Sequence, residues 1–258
     1  MKVSLDGQAK AEGAVLVLGM FDGVHLGHRV LLRKAKVLAR RQRVPLVACT
    51  FTTHPKALVA PEKCPPMLTT LEERAKLMEA QGVDILHAQP FDREVMKLRP
   101  EEYIGELCGR FHPRTMVVGY NYAFGRNGEG NPCLLEALGQ ALGFSVEVVP
   151  QITWEGQEIS ASVIREMIGK GNATRARELL GRPYVRQAAV AQYMGEKTLL
   201  VMEPNGKQNV PAGNYRVMIE VDGKCFPATL VVRKDGHAET TMPASCATGE
   251  GVNLLFYR

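Results

Sequence analysis

The sequence contains six cysteines but none of the patterns that cross-linked or zinc-binding domains require. They stand at 49, 64, 108, 133, 225 and 246, with no Cys-x-x-Cys pair and no histidine at a ligand spacing beside them. A disulfide framework and a structural zinc site are therefore both poor interpretations, and buried thiols are the expectation. The sequence predicts no metal site built from protein ligands.

Long apolar runs are also missing. The segment Met-Lys-Val-Ser-Leu-Asp-Gly at the start lacks the apolar core of a signal peptide, and no run approaches the length of a membrane span. We therefore expect a cytoplasmic protein with no membrane partner. The net charge is only +5, and no long basic block with interleaved aromatic residues indicates a nucleic-acid partner. An anionic small molecule fits this balance equally well, and the oligomeric state is left open.

The stretch from Gly19 to His28, Gly-Met-Phe-Asp-Gly-Val-His-Leu-Gly-His, lacks both common phosphate signatures. It has neither the Gly-Lys-Ser/Thr ending of a P-loop nor the three-glycine spacing of a dinucleotide fingerprint. It joins an apolar run at 14–18 to a basic amphipathic segment at 29–41, which predicts a strand, a tight loop and a helix. His25 and His28 stand at the start of that helix, where free N–H groups and the helix dipole attract phosphate. A lone histidine there would be an ordinary cap, whereas His-x-Gly-His favours a nucleotide site.

Strands and helices alternate over the first 184 residues. Apolar runs at 14–18, 45–51, 83–88, 115–118 and 144–149 predict five strands, with helices at about 26–41, 70–81, 100–110 and 131–142 between them. This alternation predicts an α/β fold with a Rossmann-like, doubly wound parallel sheet. Ligands of such sheets bind beyond the carboxyl ends of the strands.

The rhythm changes after residue 184. Runs at 185–190, 198–202, 215–221, 226–232 and 252–257 are punctuated by the hairpin signals Pro204-Asn-Gly206, Val221-Asp-Gly223 and Lys234-Asp-Gly236. They predict a small antiparallel, barrel-like β domain. The predicted domains are therefore 1–184 and 185–258.

Three further segments of the first domain combine polar and aromatic residues. They read Thr50-Phe51-x-x-His54-Pro55, Val118-Gly119-x-Asn121-x-x-Phe124-Gly125 and Ile159-Ser160-x-x-x-x-Arg165. Ser160 or Ser162 can cap a helix there, and the Arg165 guanidinium suits phosphate because it binds two oxygens at once. A capped helix with a solvated arginine explains the same residues.

In this order the four signatures resemble the adenylyltransferase module of the bacterial riboflavin kinase/FAD synthetases, within the His-x-Gly-His nucleotidyltransferase superfamily. The resemblance covers about residues 10–184. Thr53 departs from it, because the family usually has the first proline of Pro-His-Pro there, and Ala161-Ser162 stands where the family usually has Ser-Thr. The first departure loosens a flavin-side loop, and the second removes a hydroxyl from the phosphate side.

The resemblance implies a nucleotidyltransferase that joins FMN to the AMP of ATP, forming FAD and pyrophosphate, with Mg2+ accompanying ATP. Its implied catalytic groups are His25, His28, Asn121, Ser160 and Arg165. Its implied ATP-binding residues are Gly19, Met20, Phe21, Asp22, Gly23, His25, Gly27, His28, Gly119, Asn121, Ile159, Ser160, Ser162 and Arg165. Its implied flavin-binding residues are Phe51, His54, Pro55, Asn121, Tyr122 and Phe124.

Two alternatives stay open at this point. A related enzyme of the same superfamily would use another phosphorylated acceptor, such as phosphopantetheine or glycerol phosphate. A module that has lost turnover would only bind flavin or adenine nucleotide.

The β domain resembles a shortened, degenerate riboflavin kinase domain. The Gly-Phe-Pro-Thr-Ala-Asn loop of a working kinase is absent, and the nearest likeness is the segment Pro211-Ala-Gly-Asn-Tyr-Arg-Val217. The acidic residue and the long terminal helix that the family's working kinase domain has are also not found in this segment. We therefore expect no phosphorylation of riboflavin, and a structural or partner-binding role for this domain.

Overall fold

The computed structural model describes residues 1–194, 197–242 and 247–258, which form two compact units. The first comprises Met1–Pro65 and Leu71–Gly156, and the second comprises Pro66–Thr70 and Gln157–Arg258. The helices that follow residue 160 therefore group with the second unit. A functional division at 184 stays a prediction.

The first unit is built on a parallel sheet of six strands in the order β1-β4-β3-β2-β5-β6. The strands are β1 (Lys2–Ser4), β2 (Ala14–Leu18), β3 (Leu46–Phe51), β4 (Ile85–Gln89), β5 (Pro113–Gly119) and β6 (Ser145–Val149), and β7 (Thr153–Trp154) follows them. The α/β class and the five predicted strands are confirmed. The edge strand β1 was not predicted, because three exposed or half-buried residues leave no periodic signal.

Helices cover both faces of this sheet. They are α1 (Leu26–Gln42), α2 (Lys56–Val59), α3 (Leu71–Ala80), α4 (Arg93–Lys97), α5 (Pro100–Phe111) and α6 (Pro132–Leu142). Successive side chains of β2 point to opposite faces of the sheet and so belong to two different core clusters. Val15 and Val17 pack in the cluster that contains Leu32 of α1. Leu16 packs in a second cluster with Ile104 of α5. Burial on both faces explains why the central strands are continuous apolar runs.

The second unit contains two helices and a barrel. After β8 (Gln157–Glu158) come α7 (Ala161–Gly169) and α8 (Ala173–Leu180). The strands that follow are β9 (Tyr184–Met194), β10 (Lys197–Met202), β11 (Gly213–Val221), β12 (Lys224–Val232), β13 (His237–Thr240) and β14 (Gly251–Phe256). They close an antiparallel barrel in the order β10-β13-β12-β11-β14-β9. The predicted barrel-like β domain is thus confirmed in type.

Two details of the barrel differ from the prediction. The short strand β13 was missed, because its sequence His-Ala-Glu-Thr carries little apolar signal. The hairpin predicted at Pro204-Asn-Gly206 is wrong, since β10 pairs with β9 and β13 and not with β11. Asn205 instead accepts a hydrogen bond from Arg186 Nη1 at 3.2 Å and donates to Gln187 at 2.9 Å, which orders this connection without a hairpin.

The described cysteines differ in burial. Cys49 is buried, as expected, but Cys133 and Cys225 are exposed, so the expectation of buried thiols is wrong for these two. Cys246 lies outside the described residues.

Among the residues described, every helix is too short or too polar to span a bilayer.

Candidate nucleotide site

The predicted loops of the first unit follow the carboxyl ends of its central strands. The chain proceeds from β2 to β3 and β4 on one side and returns to β5 and β6 on the other. The order of strands therefore reverses between the neighbours β2 and β5. Ligands of open parallel sheets bind at this switch point. The loop at 19–28 leaves β2 there, and the loop that begins at Tyr120 leaves β5.

The loop after β2 has a strained backbone. Phe21, Gly23 and Val24 have φ angles of 52°, 76° and 40°. Glycine adopts this left-handed region freely, but a β-branched valine does so only under constraint. The side chains of Phe21 and Val24 are buried in the core, which supplies that constraint. Such strain is concentrated at sites where the fold fixes a ligand-binding backbone.

The two histidines of this loop are stacked. Their ring centroids lie 3.6 Å apart with 19° between the planes. His25 is the N-cap of α1, and its Nδ1 accepts a hydrogen bond from the backbone N–H of His28 at 3.3 Å. The neutral ring of His25 therefore carries its proton on Nε2. His28 also meets the ring of Phe21 edge to face at 5.2 Å.

His28 is neutral at pH 7. Burial lowers its pKa well below the ordinary value, and the charge of Arg74, or of His25 when that ring is protonated, acts in the same direction. Its buried Nδ1 has no hydrogen-bond partner within the described ranges. A pair of stacked imidazoles at a helix N-terminus offers hydrogen-bond donors and the positive end of the dipole to one anion.

Several predicted ATP residues support this loop. Gly19 leaves room for the ring of Phe21, because a Cβ atom would lie 3.2 Å from that ring. Asp22 is 2% exposed and acts electrostatically on Arg74. The other members of the loop are the half-buried Met20 and the buried Gly23 and Gly27.

The loop after β5 carries the predicted bridging residue. Asn121 is exposed, and Gly119 ends the strand just before it. The backbone turns here, because the N–H of Tyr122 donates to the carbonyl of Gly119 at 3.0 Å. Asn121 thus lies on a tight turn at the switch point.

The predicted flavin residues Phe51, Tyr122 and Phe124 lie in one aromatic cluster. Tyr122 and Phe124 stack at 5.5 Å. Phe51 meets Phe91 at 5.0 Å and Tyr103 at 6.3 Å, and Tyr103 lies 6.4 Å from Phe124. Burial raises the pKa of both tyrosines, and the Tyr122 hydroxyl donates to that of Tyr103. Phe91 and Tyr103 were missed, because no motif links them to the loops in sequence.

His54 and Pro55 start the short helix α2. His54 Nδ1 accepts a hydrogen bond from the N–H of Lys56 at 3.1 Å. Both residues are half-buried. The pair therefore shapes the segment that leaves β3.

One buried group of this region was missed entirely. Arg74 of α3 is 1% exposed. Its guanidinium donates to the carbonyl of Met20 at 2.6 Å and to that of Phe51 at 3.1 Å. Sequence alone gives no signal, since an arginine in an amphipathic helix is usually solvated.

The remaining predicted residues belong to the second unit. Ser160 is the N-cap of α7, where its Oγ accepts from the N–H of Val163 at 3.4 Å. Ile159 is buried and Ser162 is exposed. Arg165 donates from Nε to the carbonyl of Pro66 at 2.7 Å. The capping role that the sequence offered to Ser160 or Ser162 thus falls to Ser160.

A resident metal ion would need a cluster of ligands among the described residues. No group of three or more His, Cys, Asp or Glu side chains is placed there to hold a metal ion. Any cation that enters with a nucleotide would take its ligands mainly from phosphate and water oxygens, as Mg2+ commonly does.

Comparison with known proteins adds to this geometry. A family model described as FAD synthetase matches residues 7–163. The bifunctional riboflavin kinase/FMN adenylyltransferase of Escherichia coli (strain K12) is 33% identical over 178 residues, which are 69% of this chain and 57% of that protein. The protein of the same name from Bacillus subtilis (strain 168) is 30% identical over 227 residues, 85% of this chain and 70% of that protein.

A solved structure is similar over almost the whole chain. The crystal structure of a macrolide-efflux protein from Streptococcus pneumoniae matches with a TM-score of 0.89 at 25% identity, covering 99% of this chain and 89% of that one. The sheet with its helices and the barrel therefore both recur in a known structure.

Proposed function

The chain belongs to the FAD synthetase family, and from this premise we propose that it transfers AMP from ATP to FMN, giving FAD and pyrophosphate. A phosphate oxygen of FMN attacks the α-phosphorus of ATP, and the bond from that phosphorus to the bridging β-oxygen breaks. Pyrophosphate carries the charge away. No side chain needs to act as a nucleophile, so alignment and charge stabilisation are the work of the protein.

The observation that carries this proposal is the stacked pair of His25 and His28 at the N-terminus of α1. Negative charge develops on the oxygens around the α-phosphorus and on the leaving pyrophosphate. Neutral imidazoles donate hydrogen bonds to such oxygens, and the helix N-terminus adds its N–H groups. Because the loop is held in a strained conformation by buried side chains, these donors are oriented before the substrate arrives.

The flavin side of the proposal rests on the aromatic cluster of the same unit. Phe51 and Tyr122 are half-buried and Phe124 is buried, and their rings belong to one apolar cluster at the end of β3 and in the loop after β5. Asn121 stands on that second loop, next to Tyr122, and would contact both substrates. Ser160 and Arg165 are assigned to the β- and γ-phosphates on the resemblance of their motif. Mg2+ would enter as part of the Mg2+–ATP substrate.

The direct test is an assay of the purified protein with ATP, Mg2+ and FMN. FAD and pyrophosphate should form in equal amounts, measured by chromatography of the flavins and a coupled pyrophosphate assay. The variant His28→Ala should lose about a hundredfold or more in kcat, the range seen when a donor to developing charge is removed. His112→Ala is the matched control, because His112 is exposed at the end of α5, and it should retain full activity.

Two outcomes would contradict the proposal. Product from phosphopantetheine or glycerol phosphate, with none from FMN, would assign another acceptor. Binding of FMN and ATP without release of pyrophosphate would identify a binding module without turnover. Near-normal activity of His28→Ala would remove His28 from the catalytic groups.

A further inference from the structure

Arg74 is a buried cation outside the four sequence motifs. It projects from α3 and is 1% exposed, although most arginines remain in water because a buried charge is costly to desolvate. Burial lowers its pKa to about 10, and the nearby Asp22 carboxylate opposes this change. The guanidinium therefore stays charged at neutral pH. Such a group needs a structural or functional reason.

The contacts of Arg74 join two separate parts of the site. Nη1 donates to the carbonyl of Met20 at 2.6 Å and to Thr50 Oγ1 at 3.3 Å. Nη2 donates to the carbonyl of Phe51 at 3.1 Å. Thr50 Oγ1 in turn donates to the carbonyl of Met20 at 3.1 Å. One side chain thus fixes the start of the loop at 19–28 against the last residues of β3.

Both acceptor carbonyls lie next to groups of the proposed reaction. Met20 precedes the strained turn that leads to His25 and His28, and Phe51 belongs to the aromatic cluster. We propose that Arg74 is a positioning residue. Through these hydrogen bonds it sets the distance between the loop at 19–28 and the aromatic cluster that contains Phe51. The inference rests on the proposed function of this site.

A planar, forked donor suits this task better than lysine. The guanidinium reaches two carbonyls on different segments at once, whereas an ammonium group is a single point of charge. The same charge acts on His28, whose surroundings include the stacked His25 and Arg74. Arg74 therefore has a second effect, which is to disfavour protonation of His28.

The experiment compares Arg74→Lys and Arg74→Met with the wild type. The matched control is Lys76→Met, which removes a cation from the exposed face of the same helix, where Lys76 forms an ion pair with Glu72. Michaelis constants for ATP and FMN, kcat, and the pKa of His28 by NMR titration of isotope-labelled histidine are measured for each protein. A His28→Gln variant assigns the resonance.

Arg74→Lys should keep the wild-type pKa of His28 and lose about a hundredfold in kcat/KM for both substrates, because the charge remains and the fork is lost. Arg74→Met should show at least the same loss and should raise the pKa of His28, because a nearby positive charge is removed. Lys76→Met should match the wild type in every measurement.

Wild-type constants for both substrates in the two Arg74 variants would overturn the proposal, and so would a lowered melting temperature with unchanged constants. If Arg74→Met does not fold, Arg74→Lys alone decides between these outcomes. The formation of FAD by the wild type is established first, so a failure of the proposed function is seen before any variant is compared. The titration of His28 needs no turnover and reports on Arg74 in either case.

Discussion

His87 shows that a buried histidine in this protein need not belong to the site. It lies within β4, is 1% exposed, and meets the ring of Phe111 edge to face at 5.1 Å. Neither ring nitrogen has a hydrogen-bond partner within the described residues. Burial and the charge of Arg110 lower its pKa to about 4, against the opposite effect of Asp6. The neutral ring therefore packs as an apolar group at neutral pH, and its protonation in acid destabilises the fold.

This geometry predicts an acid-sensitive stability. The folded pKa lies below the ordinary value of 6.5, so the unfolded chain binds more protons between those two values. The contribution of neutral His87 is complete above pH 6.5 and is lost as the pH falls toward 4, by about 3 kcal/mol in total. Comparing His87→Leu with the wild type by urea unfolding at pH 7.5 and pH 5 should show a relative gain for the variant of about 2 kcal/mol.

The exposed His112 provides the control, since His112→Leu should follow the wild type at both pH values. Parallel losses of stability in the wild type and His87→Leu would show that His87 does not carry this sensitivity.

At the scale of residues, what could be predicted was what a local pattern encodes. His25 and His28 are separated by three positions across a helix start, and this spacing alone brings their rings together. Arg74 and Tyr103 reach the same region from helices distant in sequence. Their burial is decided by tertiary packing, so a single sequence carries no sign of it.

At the scale of elements, the N-cap of α7 offers two roles for one side chain. Ser160 Oγ accepts from the N–H of Val163, which satisfies one of the free donors of the first turn. The resemblance also assigns Ser160 to ATP phosphate. Substitutions that treat the cap and the anion differently separate the two roles.

Ser160→Ala should destabilise the second unit by about 1 kcal/mol, because the cap is lost. Ser160→Asp should restore this stability, since a carboxylate caps a helix and complements its dipole, but it should raise the KM for ATP more than Ser160→Ala does. Thermal melting and ATP titrations provide the measurements. Ser162→Ala, at an exposed neighbouring position, is the control for melting, and a wild-type KM for ATP in Ser160→Asp would exclude phosphate contact.

Elements were predictable where a cap, a turn or a period marked them. Pro100 and Pro132 at the first positions of α5 and α6 are such marks. β1 and β13 have three and four residues, and they exist because a longer neighbour offers them a backbone to pair with. Pairing across the fold, rather than their own composition, determines these strands.

For the chain as a whole, the similarity to known proteins covers the first unit more fully than the second. The family model ends at residue 163, inside α7, whereas the similarity to the Bacillus subtilis protein and to the Streptococcus pneumoniae structure extends further. The chain spans 57% of the length of the Escherichia coli relative. Within the described residues the barrel strands close on one another and leave no open sheet edge.

We expect the barrel to have no riboflavin kinase activity. The resemblance ties kinase activity to a Gly-Phe-Pro-Thr-Ala-Asn loop that is absent from 185–258. Met194 of β9 pairs with Lys197 of β10, and only two residues separate them in the sequence, fewer than the six of that loop. The segment most similar to that loop is 211–217. In it, Asn214 is exposed on β11, and the buried Tyr215 donates a hydrogen bond to the carbonyl of Pro211 at 2.9 Å.

Riboflavin, ATP and Mg2+ should therefore give no FMN with this protein, whereas FMN in place of riboflavin should give FAD. The Bacillus subtilis relative, assayed in parallel, is the positive control for the kinase conditions. FMN formed from riboflavin at a rate that follows the protein concentration would show that the barrel holds a working kinase site built from other residues. Because both reactions are followed by the same separation of flavins, a failure of the first with success of the second shows that this protein forms FAD without phosphorylating riboflavin.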